Sequence, residues 1–258
     1  MNEPQQPVDD VWSDLRATTA ARIGLGRAGN SLPSRRVLEF QAAHAAARDA
    51  VHEPLDIDGF IAGLADLDIE APLHISSQAD GRSEYLRRPD LGRLPADLTG
   101  LPDTGADLGI VLADGLSPRA LTDHGHGMLA ALLDTLAGRY SLAPPVVATQ
   151  ARVALGDHIG EALGVTTLIV VIGERPGLSV ADSLGIYLTH LPRPGRSDAD
   201  RNCISNIHPP DGLDYGGAAS ITAALIDGAR KLGRSGVALK DSSRAAALTD
   251  GEAITIES

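Results

Sequence analysis

The chain has 258 residues, with 22 lysines and arginines against 34 aspartates and glutamates, so its formal net charge is −12. Nucleic-acid binding needs an excess or a dense patch of basic side chains, and this charge argues against it. A chain of this length can bury a sizeable core, as one large domain or two modest ones. Hydrophobic residues make up 43 % of the chain and aromatic residues only 3 %, which favours an aliphatic core of helices packed on a sheet.

The cysteine content and the apolar runs indicate where the protein resides. A single cysteine, Cys203, excludes an intramolecular disulfide and is typical of a reducing cytoplasm. The first residues lack the basic and apolar parts of a secretory signal. No run of about 18 apolar residues occurs, so no membrane-spanning helix is predicted. We therefore expect a cytoplasmic protein that does not contact membranes.

The first part of the chain is predicted to be helical. Residues 1–10 are polar and predict a flexible N terminus. Residues 11–105 predict a mainly helical section and linker, in which the helices cover 11–21, 34–53 and 57–67. The segment 71–98 mixes glycine, proline and charge, which indicates a long ordered loop or short strands.

From residue 106 the pattern changes to short aliphatic runs that alternate with helical stretches. The predicted strands are 108–113, 145–149, 167–172 and 184–189, and the predicted helices are 118–137, 157–163 and 218–232. Continuous Val, Ile and Leu runs with helices between them indicate parallel strands that are buried on both faces. Residues 106–258 therefore predict an α/β domain with a doubly wound, mostly parallel, Rossmann-like sheet.

Three loops of this domain are candidates for ligand binding. They are rich in glycine, charge or proline and cover residues 114–117, 150–157 and 173–177. Ligands of such sheets bind where loops leave the carboxyl ends of the strands. We therefore expect these loops to lie along one edge of the sheet and to form a ligand site.

The segment 24–29 matches the dinucleotide-binding pattern GxGxxG. That pattern binds a dinucleotide only when a strand leads into it and a helix leaves it, and here a predicted helix precedes it. The segment is therefore predicted to be a tight structural turn, and a nucleotide-binding oxidoreductase is kept as an alternative.

Single residues of the candidate loops have both structural and functional interpretations. The eight histidines lack companions at zinc-ligand spacing, so no metal site is predicted. Cys203 is either a small buried residue or part of a loop at the ligand edge. Glu174 either pairs with Arg175 at the surface or accepts hydrogen bonds from a ligand.

Several short stretches, taken together, resemble the small (light) subunit of ethanolamine ammonia-lyase. They are ARIGLGRAG (21–29), YLRRPDLGR (85–93), ADGLS (113–117), GERPGL (173–178) and RNCISNI (201–207), with Arg152 and Val153 between the third and the fourth. They follow the order of that family from about residue 14 to about residue 240. Each stretch is short, but the ordered set is specific.

The resemblance implies an adenosylcobalamin-dependent lyase that converts ethanolamine to acetaldehyde and ammonia. In that family a large subunit carries the radical chemistry, and the small subunit completes the cobalamin site at their interface. The resemblance places cofactor contacts at Val153, Glu174 and Cys203 of this chain, and Arg152 and Arg193 are weaker candidates. It implies no catalytic residue and no metal ligand in this chain, which is expected to be inactive without the large subunit.

The resemblance also implies an assembly and raises a question of location. Family members assemble from six large and six small subunits. Some carry a longer N-terminal extension that directs them into a bacterial microcompartment, whereas the similarity here begins after about ten polar residues. Encapsulation is therefore not expected. Besides the oxidoreductase, a non-catalytic scaffold for the large subunit remains an alternative.

Overall fold

A computed structural model describes residues 12–240 of the chain. The predicted flexible N terminus, residues 1–10, lies outside the described residues. Within the described part, helices cover both faces of a six-stranded sheet, most of whose strands run parallel. The predicted α/β class and the mostly parallel sheet are therefore confirmed.

In the sheet, the third strand of the chain lies between the first and the second. Its strands are β1 (Leu73–Ser76), β2 (Leu108–Ala113), β3 (Val146–Thr149), β4 (Thr167–Gly173), β5 (Leu184–His190) and β6 (Asn202–Ile207). They lie in the order β1-β3-β2-β4-β5-β6. The first four are parallel to one another. β5 pairs antiparallel with β4, and β6 pairs antiparallel with β5. The carboxyl ends of β1 to β4 therefore meet at one edge.

The strand predicted over 184–189 exists, but its predicted parallel direction is wrong. β5 pairs antiparallel with β4, with Thr167 opposite His190. The segment 174–183 joins the two strands without a helix. A parallel return needs a crossover of about a dozen residues or more, usually helical, so this connection can only reverse the chain.

The stretch around Cys203 is a strand where the sequence suggested a loop. β6 covers Asn202–Ile207 and forms an edge of the sheet. Its burial does not alternate regularly, because Ser205 and Asn206 are both exposed before the buried Ile207. An edge strand is paired on one side only, so it needs no continuous apolar run of the kind that reveals a central strand.

Six of the seven α-helices in residues 12–240 agree with the predicted ones in place, and their ends differ by a few residues, whereas α4 lies in the segment 71–98, predicted to be a loop or short strands. They are α1 (Trp12–Ala17), α2 (Ser34–His52), α3 (Ile57–Ala62), α4 (Arg82–Arg87), α5 (Pro118–Leu136), α6 (Leu155–Ala162) and α7 (Tyr215–Leu232). Ser117 caps α5 by accepting from the Ala120 N–H at 3.2 Å, and Pro118 occupies the first turn. Such caps satisfy N–H groups that have no partner inside the helix.

The core has two layers, one on each face of the sheet. In β2, Leu108, Ile110 and Leu112 point to the layer under α5 and α7, while Val111 and Ala113 point to the layer under α6. This alternation follows from the two-residue period of a strand. Because both layers are filled with aliphatic side chains, the sheet is a rigid frame for the loops at its carboxyl edge.

The N-terminal section is joined to the sheet but contributes little to the core. Strand β1 belongs to the predicted section 11–105 and pairs with β3 of the predicted domain 106–258, so the two share one sheet. The division at residue 105 stays a prediction. Helix α2 buries only Ala50, and it exposes Leu38 and Phe40. None of the helices in residues 12–240 combines the length and apolar character that crossing a bilayer requires.

Candidate functional site

The three loops predicted to form the ligand edge lie against one another. The Asp114 carboxylate accepts hydrogen bonds from the N–H groups of Gln150 and Ala151 at 2.8 and 2.9 Å, so the loop after β2 holds the loop after β3. The Leu116 N–H donates to the Gly173 carbonyl at 2.9 Å, which joins the loop after β2 to the end of β4. This edge is the predicted one.

Asp114 is a buried carboxylate that organises this edge. Besides the two N–H donors, Arg82 lies near it, with Nη1 3.7 Å from Oδ2. Arg82 also donates to the carbonyls of Val51 and Gly115 at 2.6 and 2.7 Å, so it links helix α2 to the loop after β2. Burial raises the pKa of Asp114 to about 6, although the N–H donors and Arg82 oppose that rise.

Tyr85 lies between two arginines beneath the loop after β3. The guanidinium carbon of Arg82 is 4.8 Å from the centre of the ring, and that of Arg152 is 4.5 Å from it. The Tyr85 hydroxyl donates to the Ala151 carbonyl at 3.0 Å. Burial raises the pKa of Tyr85 above its ordinary value, so the phenol stays neutral. These contacts fix the position of Arg152 and of Val153 after it.

Glu174 follows β4 and is held by the residue just before β5 and by a residue of β6. Its Oε2 accepts from the Ser183 hydroxyl at 2.8 Å and from the Asn206 N–H at 3.1 Å. Gly185 lies opposite its other oxygen, Oε1, which accepts no hydrogen bond from residues 12–240. The predicted surface pair with Arg175 is not formed within the described part of the chain, and the side chain is half-buried. Oε1 is therefore free to accept from a ligand.

Cys203 lies directly opposite Tyr187 in the pairing of β5 with β6. Burial, mainly, and the neighbouring Cys203 raise the pKa of Tyr187 above its ordinary value. Desolvation of the sulfur and the nearby Glu174 carboxylate raise the pKa of Cys203, although the residue is exposed. At neutral pH the sulfur is therefore a thiol, not a reactive thiolate.

Two neighbouring cavities open at this edge. The first, here the arginine cleft, has a volume of about 550 Å³ and is lined by Arg93, Arg152, Val153, Tyr187, Arg196 and Arg201, among others. The second, the glutamate cleft, has a volume of about 340 Å³ and is lined by Tyr85, Arg152, Val153, Gly173, Glu174 and Tyr187, among others. Because three lining residues are shared, the two clefts form one continuous depression.

The structure brings two of the three predicted cofactor contacts together and places the third beside them. Val153 and Glu174 line the glutamate cleft. Cys203 lines neither cleft but lies next to Tyr187, which lines both. Of the two weaker candidates, Arg152 lines both clefts and Arg193 lines neither. That these residues contact a cofactor stays a prediction.

Sequence reasoning did not single out Tyr85, Tyr187 or Arg93 as parts of this site. Tyr85 and Arg93 lie within the stretch 85–93 that carries the resemblance, and this was the available signal. Tyr187 lies inside the aliphatic run 184–189, which shows no sign of a binding residue. Its place in the site depends on the pairing of β5 with β6, which brings Cys203 beside it.

The glycine-rich segment 24–29 does not have the surroundings of a dinucleotide site. It follows α1 and not a strand, and Ala28 and Ser31 exchange backbone hydrogen bonds at 2.8 and 3.2 Å. A Cβ atom at Gly24 would collide with the ring of Trp12. The glycines therefore serve a turn that packs tightly on α1.

Several histidines are engaged by single partners. His74 lies 3.0 Å from the Thr149 hydroxyl, and His190 lies 2.8 Å from the Thr167 hydroxyl. Burial lowers the pKa of both imidazoles. Within residues 12–240, no group of three or more histidine, cysteine or acidic side chains is placed to hold a metal ion.

Comparison with known proteins gives consistent matches over the full length. The family model "Ethanolamine ammonia-lyase light chain (EutC)" matches residues 9–240. The ethanolamine ammonia-lyase small subunit of Rhodococcus erythropolis is 63 % identical over 257 residues and covers 100 % of both chains. That of Xanthomonas campestris pv. campestris is 48 % identical over 93 % of this chain and 91 % of its own. That of Azotobacter vinelandii is 46 % identical over 96 % of this chain and 94 % of its own.

The family match covers all of the described residues, including the loops of both clefts and the N-terminal section. The sequence resemblance is therefore confirmed, and the chain belongs to the ethanolamine ammonia-lyase light chain family.

Proposed function

We propose that this chain is the small subunit of an adenosylcobalamin-dependent ethanolamine ammonia-lyase. Its part is to complete the cobalamin site at the interface with the large subunit, and the enzyme converts ethanolamine to acetaldehyde and ammonia. The observation that carries this proposal is the meeting of Val153 and Glu174 in one cleft beside Cys203, in a chain of this family.

The residues of the two clefts fit a corrinoid. Such a molecule has an apolar ring system, a fringe of amide side chains and a phosphate in its nucleotide tail. Val153 offers apolar contact, and the free Oε1 of Glu174 offers an acceptor for an amide N–H. The Nε of Arg152 is buried without a partner, which is a cost that an acceptor on a ligand would remove.

The chain's own contribution is to bind, orient and exclude water. When bound, adenosylcobalamin supplies the radical that makes the elimination of ammonia feasible. Glu174 is held by two donors before any ligand arrives, so little conformational freedom is lost on binding. We propose no catalytic residue in this chain, and we therefore expect the isolated chain to be inactive.

A large-subunit partner is supported by the surface of the N-terminal section. In the first part of this section, residues 12–40, the exposed large apolar side chains are Trp12, Leu15, Leu32, Val37, Leu38 and Phe40. Exposed apolar patches of this kind mark interaction sites. We propose that the large subunit covers them and that the complete assembly holds six of each chain, as the family resemblance implies.

The single cysteine is in keeping with a reducing compartment, and we propose that the complex resides in the cytoplasm. Fractionation of the producing cell tests this location. A complex that co-purifies with microcompartment shells would contradict it.

Activity measurements on separate and combined chains test the proposed function. We would assay ethanolamine deamination with adenosylcobalamin for this chain alone, for its cognate large subunit alone and for the two co-expressed. Activity in the co-expressed sample only is the expected result. Activity of this chain alone with a nicotinamide or flavin nucleotide would favour the oxidoreductase instead.

A cobalamin titration of the same complex separates a cofactor-contacting subunit from a scaffold. Glu174→Ala should weaken cobalamin binding while the two chains stay assembled. Unchanged cobalamin affinity in the Glu174→Ala complex, together with the same result for Val153→Asp and Cys203→Ala, would favour the scaffold.

A further inference from the structure

The arginine cleft carries positive charge that acidic side chains of residues 12–240 do not fully neutralise, although the chain as a whole has a net charge of −12. Arg201 is the neutralised member of the set, because it is ion-paired with Asp157 and both side chains are 2 % exposed. The Asp198 side chain is 98 % exposed, and its Oδ1 lies 3.6 Å from Nη1 of Arg201. Both carboxylates that line the cleft therefore pair with Arg201, and within the described part of the chain the other arginines of the cleft have no acidic partner there.

Of the other three arginines, Arg93 and Arg152 keep unused donors and Arg196 does not serve the cleft. Arg196 donates to the carbonyls of Leu191 and His190 at 3.0 to 3.4 Å, which are contacts within its own loop. Arg93 makes no hydrogen bond or ion pair with its side chain within residues 12–240, and it is exposed at the cleft. Arg152 lies over the Tyr85 ring and has a buried Nε without a partner.

Arg93 and Arg152 are neighbours in space. The Arg152 N–H donates to the Gly92 carbonyl at 2.8 Å. A Cβ atom at Gly92 would lie 3.0 Å from Cγ of Arg152, which shows how closely the two chain segments approach. The two guanidinium groups therefore enter the cleft from adjacent backbone positions.

Stacking on Tyr85 does not account for all the donors of Arg152. A guanidinium that lies over a ring uses its face, and its N–H groups point outward in the plane. Such a planar set of donors matches the oxygens of a phosphate and binds it through two parallel hydrogen bonds. An apolar or amide ligand would leave two positive charges without compensation.

We propose that Arg93 and Arg152 bind a phosphate group of the ligand that Val153 and Glu174 hold. This inference rests on the proposed function, because it assigns the arginine cleft to the same ligand as the adjoining glutamate cleft. In a corrinoid the group is the phosphodiester that links the ring to its nucleotide. Val153 and Tyr187, which line both clefts, lie between the two ends of the ligand.

The test compares two corrinoids that differ in this group. Cobalamin has the phosphodiester and nucleotide, and cobinamide has neither. We would titrate the complex of this chain with its large subunit by absorbance, with the wild-type chain, Arg93→Gln, Arg152→Gln and the double variant. Arg234→Gln is the matched control, because that arginine is exposed and lines neither cleft.

We expect each single variant to weaken cobalamin binding roughly 10-fold or more and the double variant more strongly, as lost charge-assisted hydrogen bonds do. Cobinamide binding should stay within about twofold of wild type in every variant. Arg234→Gln should change neither. If Arg152→Gln proves unstable, Arg93→Gln carries the comparison and Arg152→Lys shows whether charge without the planar donors is enough.

Two results would overturn the inference and leave the proposed function intact: unchanged cobalamin affinity in the double variant, or equal losses for cobalamin and cobinamide. In the second case the arginines would act only through the shape of the corrin-binding part. A wild-type complex that binds neither corrinoid would overturn the proposed function itself, and the inference with it.

Discussion

Oε2 of Glu174 accepts a hydrogen bond from the backbone N–H of Asn206 at 3.1 Å, and this bond joins the end of β4 to the end of β6. Asn206 has a φ of 63°, so the strand turns sharply at the point where it meets the carboxylate. The contacts of Oε2 therefore fix the position of the other carboxylate oxygen, Oε1. Substitution of Glu174 should accordingly affect ligand binding more than folding.

Glu174→Ala should weaken cobalamin binding to the assembled complex roughly 10- to 100-fold, as loss of a hydrogen bond to a charged acceptor does. Asn206 is exposed, so its freed N–H can bind water, and only the buried Ser183 hydroxyl loses its acceptor, so the thermal midpoint should fall only slightly. Glu161→Ala, at an exposed carboxylate on α6, is the control. Equal affinities for both variants in a spectroscopic titration would exclude a contact by Glu174.

Asp114→Asn should change how stability depends on pH. The folded-state pKa is about 6 and the ordinary value is 3.8, so between about pH 4 and 6 the folded chain holds a proton that the unfolded chain has lost. This contribution favours folding at low pH and is lost as the pH rises through the folded-state pKa. The neutral asparagine has no such contribution.

Relative to Asp114→Asn, the wild type should therefore lose up to about 3 kcal/mol of unfolding free energy between pH 4 and 7. Urea titrations at several pH values measure the difference, and Asp134→Asn, at an exposed position on α5, is the control. A wild type that gains stability over the variant with rising pH would show that the pairing with Arg82 outweighs burial.

Gly115→Ala should disrupt the contact between the loop after β2 and the end of β4. Gly115 has a φ of 56°, and a Cβ there would collide with the Gly173 carbonyl oxygen. We expect a loss of about 2–4 kcal/mol of unfolding free energy from backbone strain and overpacking. Gly138→Ala has a similar φ of 79° but no atom within 4 Å of the added carbon, so it should lose only about 1–2 kcal/mol. Equal losses would mean that the collision is relieved by a small shift.

Leu38→Ser combined with Phe40→Ser should weaken association with the large subunit about 10-fold or more, because interface energy is concentrated in a few large apolar contacts. The isolated chain should keep its thermal midpoint, since these side chains are 65 % and 44 % exposed. Val237→Ser, at 75 % exposure, is the control. If the double variant binds the large subunit as the wild type does, this surface is not the interface.

Cys203 should react slowly with iodoacetamide at pH 7, because its raised pKa leaves little thiolate. As the only cysteine, it reports its own environment without ambiguity. Mass spectrometry should show slower labelling in the complex with cobalamin than in the isolated chain. Labelling at equal rates in the two samples would place Cys203 away from the interface.

The central strands and long helices could be predicted because their sequences have a simple pattern. β2 and β4 are continuous aliphatic runs, and the helices around them begin at recognisable caps such as Ser117. β6 could not, because it is an edge strand with polar residues on both faces. The antiparallel direction of β5 follows from the short connection 174–183, which contains no helix. The aliphatic run 184–189 alone does not indicate a direction.

The candidate site was predictable only in part for a similar reason. Val153 and Glu174 are marked by the loops that contain them and by the family resemblance. Tyr85 and Tyr187 act through contacts with residues far along the chain, at Ala151 and Cys203. Such contacts depend on the packed fold, and no local pattern encodes them.

The placement of β3 between β1 and β2 has a consequence for synthesis of the chain. Within residues 12–240, the strand that pairs with β1 is β3, and the strands that pair with β2 are β3 and β4, so neither of the first two strands has a partner strand until residues 146–149 have left the ribosome. More than half of the chain must therefore be made before the sheet can begin to assemble. Long-range pairing of this kind slows folding and leaves apolar strands exposed in the interval. A chaperone, or early capture by the partner subunit, would shield them during that time.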